Sequence, residues 1–121
     1  MSDPFFDTNI LIDWLKGSPH AIAEISRYQR HRISRLVWSE LLAIEPLETR
    51  DRVQQLISPF EIVELDGRIA AAAADICRRL KISMIDAMVL ATAQVNGAIL
   101  ITRNTKDFPA AMPGIRVPYT L

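Results

Sequence analysis

Short apolar runs alternate along the chain with longer stretches whose apolar positions recur at helical spacing. The first run, Pro4 to Asp7, has the length of a strand. The segment ILIDWLKG follows as a helix that stops at Gly17, with Thr8 or Asn9 as candidate caps. Ser18-Pro19 opens a second helix, with Ile22 and Ile25 turned inward. His31 to Ser34 fits a brief second strand. Val37 to Ile44 predicts a helix ended by Pro46, and Thr49 to Ile57 another. FEIVEL, Phe60 to Leu65, alternates apolar and charged residues and predicts a strand toward a sheet edge.

Arg68 to Leu80 carries an apolar stripe of Ile69, Ala72, Ala73, Ile76 and Leu80. Asp86 opens DAMVLATAQVNG, a helix apolar nearly all round and therefore buried, with Gly97 as its stop. AILIT, Ala98 to Thr102, is apolar without alternation, which predicts a strand buried on both faces. A last strand is expected at Ile115 to Val117. Strands interleaved with helices in this order predict an α/β chain with a central, mainly parallel sheet.

Composition narrows the picture. The 121 residues fit one domain, residues 1–121, and half of them are apolar. Aromatics are sparse, so aliphatic residues and alanine must fill the core. The most apolar stretch, Met84 to Thr102, is interrupted by Asp86, Gln94, Asn96 and Gly97, so no membrane span is expected. The start, MSDPFFDTN, lacks the pattern of a signal peptide. A single cysteine, Cys77, excludes an internal disulfide framework and a cysteine-built zinc site. It falls on the apolar side of its helix, as a buried, inert thiol would. Together these features lead us to expect a cytoplasmic protein.

The 14 basic and 14 acidic residues cancel, which argues against a nucleic-acid coat protein. Arg27, Arg30, Arg32 and Arg35, with His31 among them, form the densest basic stretch. They are either a solvated helix end and loop or a strip that contacts RNA phosphates. His20 and His31 read as surface residues away from any acidic motif.

Four acidic residues stand out by context. Asp7 lies where a strand gives way to a helix. Glu40 lies among Trp38, Leu41 and Leu42. Asp86 opens a helix inside an apolar segment, and Asp107 follows the AILIT strand. In a parallel sheet the loops after the strands' carboxyl ends form one crevice. Chain order puts Asp7 and Asp107 there, and Glu40 and Asp86 can reach it from helices. Each alone could be a helix cap, a surface group or a turn residue. Taken together they suit a hard divalent cation, because buried carboxylates need a counter-charge and oxygen ligands favour magnesium or manganese.

FDTNILIDWL (Phe6 to Leu15), SELL (Ser39 to Leu42), DAMVLATA (Asp86 to Ala93) and LITRNTKDF (Leu100 to Phe108) resemble, in order, the four motifs of PIN-domain nucleases. The likeness spans essentially the whole chain and is nearest to VapC-type toxins of toxin–antitoxin pairs. It implies a three-layer α/β/α fold with a central, mainly parallel sheet of four to five strands. It also implies an endoribonuclease needing Mg2+ or Mn2+, a homodimer, and a small antitoxin partner. Asp7, Glu40 and Asp86 match the first three acidic positions, and Asp107 the fourth, with Asn104 competing in that loop. Thr8 and Asn9 match residues that orient the first aspartate. The link KISMI, Lys81 to Ile85, departs from the family by being short and lacking a Gly or Pro.

On this reading Asp7 and Asp86 are direct ligands. Glu40 and Asp107 bind a second ion, hold waters or act as base, in phosphodiester hydrolysis by metal-activated water. The rivals are a metal-dependent nuclease or phosphatase acting on another phosphate ester, and an inactive PIN-like domain that binds RNA or protein.

Overall fold

The computed structural model describes residues 3–121. Five parallel strands form one sheet, ordered β3-β2-β1-β4-β5. They are β1 (Phe5–Phe6), β2 (Arg32–Ser34), β3 (Glu61–Val63), β4 (Leu100–Ile101) and β5 (Ile115–Arg116). Six helices connect and flank them: α1 (Thr8–Leu15), α2 (Pro19–Ser26), α3 (Arg35–Ile44), α4 (Leu47–Ile57), α5 (Gly67–Leu80) and α6 (Met84–Val95). The α/β class and the parallel five-stranded sheet match expectation.

The sheet's centre is its most apolar part. Phe5 pairs with Leu100 and Phe6 with Ile101, and all four are at most 1% exposed. FEIVEL does form an edge strand, β3, joined to β2 through Ile33 and Ile62. The chain runs from β1 outward through β2 to β3, then crosses back to β4 on the other side of β1. The strand order therefore reverses between β1 and β4. In open α/β sheets this reversal is where a crevice opens beyond the carboxyl ends of the strands.

Several local expectations are corrected. Asp7, rather than Thr8 or Asn9, caps α1. Its backbone is extended and its carboxylate accepts from the Thr8 amide, so the helix begins two residues before its apolar pattern. Ser83 caps α6, and Asp86 lies in its first turn. Ser34 likewise caps α3, which starts at Arg35. Ile22 is 44% exposed, because the buried side of α2 is Ala21, Glu24 and Ile25. Glu24 can lie inside because Arg116 pairs with it at 2.7 Å. His31 is half-buried, with its ring against Phe6 and Phe60 and its Nε2 2.8 Å from the Ile25 carbonyl. Cys77 is only partly buried. Among the described residues, no helix is long and apolar enough to cross a membrane.

Candidate functional site

Asp7 leaves β1 at the reversal point, and its main-chain N–H still donates to the Ile101 carbonyl of β4. The carboxylate is buried. Its Oδ1 accepts from the Thr8 amide at 2.8 Å and its Oδ2 from the Thr102 hydroxyl at 2.7 Å. Burial raises its pKa; the bonds from Thr102 and Thr8 oppose the rise, and the charge of Glu40 adds to it. Glu40 arrives from α3 and accepts from the Thr8 hydroxyl at 2.7 Å. One threonine thus ties two of the four acids together.

Asp86 approaches from the first turn of α6, with its amide anchored on the Ser83 hydroxyl at 3.1 Å. Its carboxyl is raised to about 6, first by burial, then by hydrogen bonding with the Asp107 carboxyl, and further by the charges of Asp107 and Asp7. Asp107 is braced by Asn104 in both directions: the Asn104 amide donates to its Oδ2 at 3.2 Å, and the Asp107 main chain donates to Asn104 Oδ1 at 3.3 Å. Asn104 therefore supports Asp107 here. Asn9 donates to the Thr102 hydroxyl at 3.4 Å, which places it behind Asp7 through that hydroxyl.

The four acids thus form a linked set: Asp7 with Glu40, and Asp86 with Asp107 and Asp7. Among the described residues, none of the four makes an ion pair, whereas the buried Asp13 and Glu24 are each gripped by an arginine. As the side chains stand, no three of the described His, Cys, Asp and Glu residues are gathered closely enough to enclose an ion. The donor chemistry nevertheless fits a divalent cation. All four donors are hard oxygens, and they crowd like charge at one crevice, where burial and then Asp107 raise the Asp86 carboxyl.

A family model for the PIN domain matches residues 5–111. The chain belongs to the PIN-domain family. No curated protein matches it. Among solved structures, a chain of a toxin–antitoxin complex from Klebsiella pneumoniae is 35% identical, covering 98% of this chain and 100% of that one, with a TM-score of 0.91. DNA-bound VapBC from Salmonella typhimurium is 27% identical over 96% of each chain, with a TM-score of 0.79. FitAcB from Neisseria gonorrhoeae, at 23% identity and a TM-score of 0.80, covers 98% of this chain and 100% of its own and shares the fold. These neighbours agree with the VapC-type resemblance of the four motifs.

In this PIN domain the sequence reading missed Thr102 and Ser83, which hold Asp7 and Asp86. Thr102 is fully buried; a polar residue closing an all-apolar strand was the available signal. The basic stretch lies elsewhere. Arg30 pairs with Glu61 at 2.6 Å and with Asp3 at 3.4 Å, and Arg32 donates to the Asp3 carbonyl and covers the Phe5 ring. Those partners lie where β1 and β3 begin, and Arg27 pairs with Glu24, which Arg116 of β5 also holds. Arg35 alone follows a carboxyl end, that of β2, and there it pairs with Glu64. Each of the four arginines has an internal partner.

Proposed function

We propose that this PIN domain is a Mg2+- or Mn2+-dependent endoribonuclease and the toxin of a type II toxin–antitoxin pair. What supports the reading most is the pairwise linkage of Asp7 with Glu40 and of Asp86 with Asp107 and Asp7 beside the sheet's reversal point, where, among the described residues, none of the four makes an ion pair. The toxin assignment draws on the likeness to the Klebsiella pneumoniae toxin–antitoxin complex and to VapBC of Salmonella typhimurium.

A bound divalent ion supplies an acidified water and offsets charge on the phosphate oxygens. Asp7, fixed by Thr8 and Thr102, presents carboxylate oxygens with no freedom to turn away. Asp86, brought in by the first turn of α6, would be a second ligand. Asp107, braced by Asn104, and Glu40, held by Thr8, complete the oxygen set or accept the proton of the attacking water. RNA is the substrate, a small antitoxin covers the site, and the protein works as a homodimer. Arg27, Arg30, Arg32 and Arg35 remain candidate phosphate contacts only as far as RNA can compete for their present partners.

Side-by-side assays on structured RNA, duplex DNA and a phosphomonoester test this reading. Cleavage of RNA alone is the expected result. Preference for DNA or the monoester favours another phosphate ester as substrate. RNA binding without cleavage favours an inactive PIN-like domain.

A further inference from the structure

Asp13 is a carboxylate on α1 that the proposed chemistry does not use. It is 6% exposed, yet three donors meet on it. Arg103 grips it with Nε on Oδ2 at 2.7 Å and Nη2 on Oδ1 at 3.0 Å. The Tyr119 hydroxyl donates to Oδ2 at 2.8 Å. Burial alone would raise the Asp13 carboxyl; the bonds from Arg103 and Tyr119 and the charges of Arg103 and Lys16 outweigh it and hold it below its usual range. Burying a carboxylate is costly, and this set of partners is what makes the position tolerable.

The place of Arg103 in the chain gives this network its meaning. Thr102, just before it, donates to Asp7. Asn104, just after it, braces Asp107. The Arg103 main-chain N–H also donates to Asn9 Oδ1 at 2.9 Å. Arg103 is therefore held by both backbone and guanidinium, midway between the residues that fix two of the acids. Asp13 also engages its fork on two edges.

We propose that the Asp13–Arg103 pair, closed by Tyr119 from the segment after β5, is a positioning device. It holds residues 102–107 in register with α1 and thereby sets the cation affinity of the acidic site. The inference rests on the reading of that site given above, and its test separates the two.

Mn2+ is titrated calorimetrically into the full chain, without RNA, for wild type, Arg103→Lys and Tyr119→Phe. Amide hydrogen exchange is followed on the same metal-free proteins. Arg103→Lys keeps the charge but loses the two-pronged grip. It should weaken Mn2+ binding by roughly tenfold or more, the scale of lost supporting contacts around metal ligands. It should also speed exchange at the Asn104 and Asp107 amides, which donate to Thr102 Oγ1 and Asn104 Oδ1, while amides in β1 and α6 keep their protection. Tyr119→Phe should shift both readouts the same way, by less, and decides the matter if Arg103→Lys does not fold. Unchanged affinity and unchanged loop exchange in the folded variants overturn the proposal, whatever the melting temperature does. A wild type that binds no Mn2+ overturns the acidic-site reading instead, and loop exchange then still decides whether the network positions the loop.

Discussion

Asp86 carries two opposing demands, since ionisation suits ligation but is unfavourable beside Asp107. Its carboxyl titrates at about 6 in the folded chain, against an unfolded value near 3.9. Between those values the native state binds more protons than the unfolded one, so stability falls as pH rises through the window. Asp86 is partly open to solvent, and screening reduces the effect to about 1–2 kcal/mol. Metal-free Asp86→Asn near neutral pH should therefore melt at or above the wild-type temperature, by up to about 5 °C. Added Mg2+ should raise the melting temperature of the wild type more than that of the variant. Thermal melts at pH 4 and pH 7, with and without Mg2+, check both parts. Equal Mg2+ shifts would leave Asp86 as a first-turn residue without a role in binding. Each acid of the set was legible from its context in the sequence. Asp13 and Glu24 were not, because the arginines that permit their burial lie 90 and 92 residues away.

At the scale of elements, capping explains most departures from the sequence pattern. Apolar periodicity marks the buried turns of a helix, but its first residues are decided by side chains such as Asp7, Ser34 and Ser83. Helix α3 accordingly starts before its pattern does. The short KISMI link has a matching explanation. Lys81 ends α5 in the left-handed conformation, at φ 57°, with its amide on the Cys77 carbonyl at 2.9 Å. A glycine usually occupies such a position, so the residue the family pattern leads one to expect is replaced by a strained lysine. Lys81→Gly should relieve that strain and stabilise the chain by up to about 1 kcal/mol, net of the glycine's greater freedom when unfolded. Urea unfolding measures it, and a loss of stability would mean that the Lys81 side chain supports the turn.

For the whole molecule, the alternation of elements was enough to predict the class and the parallel sheet, and chain order was enough to send Asp7 and Asp107 to one crevice. The strand order itself was not legible. Nothing in short apolar runs such as FF or LI tells which strand each pairs with, and the reversal beside β1 depends on a crossover from β3 to β4. That reversal brings Thr102 under Asp7 and lets α6 carry Asp86 to Asp107. If the protein is a toxin, producing it without a partner should arrest a bacterial host, and the Asp7→Asn form should leave growth unchanged. Arrest by both forms would trace the effect to something other than catalysis.

The central claim is that the four carboxylates work together, through a divalent ion, on RNA. Its most direct test is the initial rate of RNA cleavage by purified wild type and Asp86→Asn, each in Mn2+ and in excess chelator, with the cut ends mapped. Cleavage by the wild type in Mn2+, abolished by chelator and restored by fresh Mn2+, is expected. Asp86→Asn should lose at least about a hundredfold in rate, the scale of removing one principal stabiliser of the reacting charge, while remaining folded. Full-rate cleavage in excess chelator, or an Asp86→Asn rate within tenfold of wild type, would contradict the account.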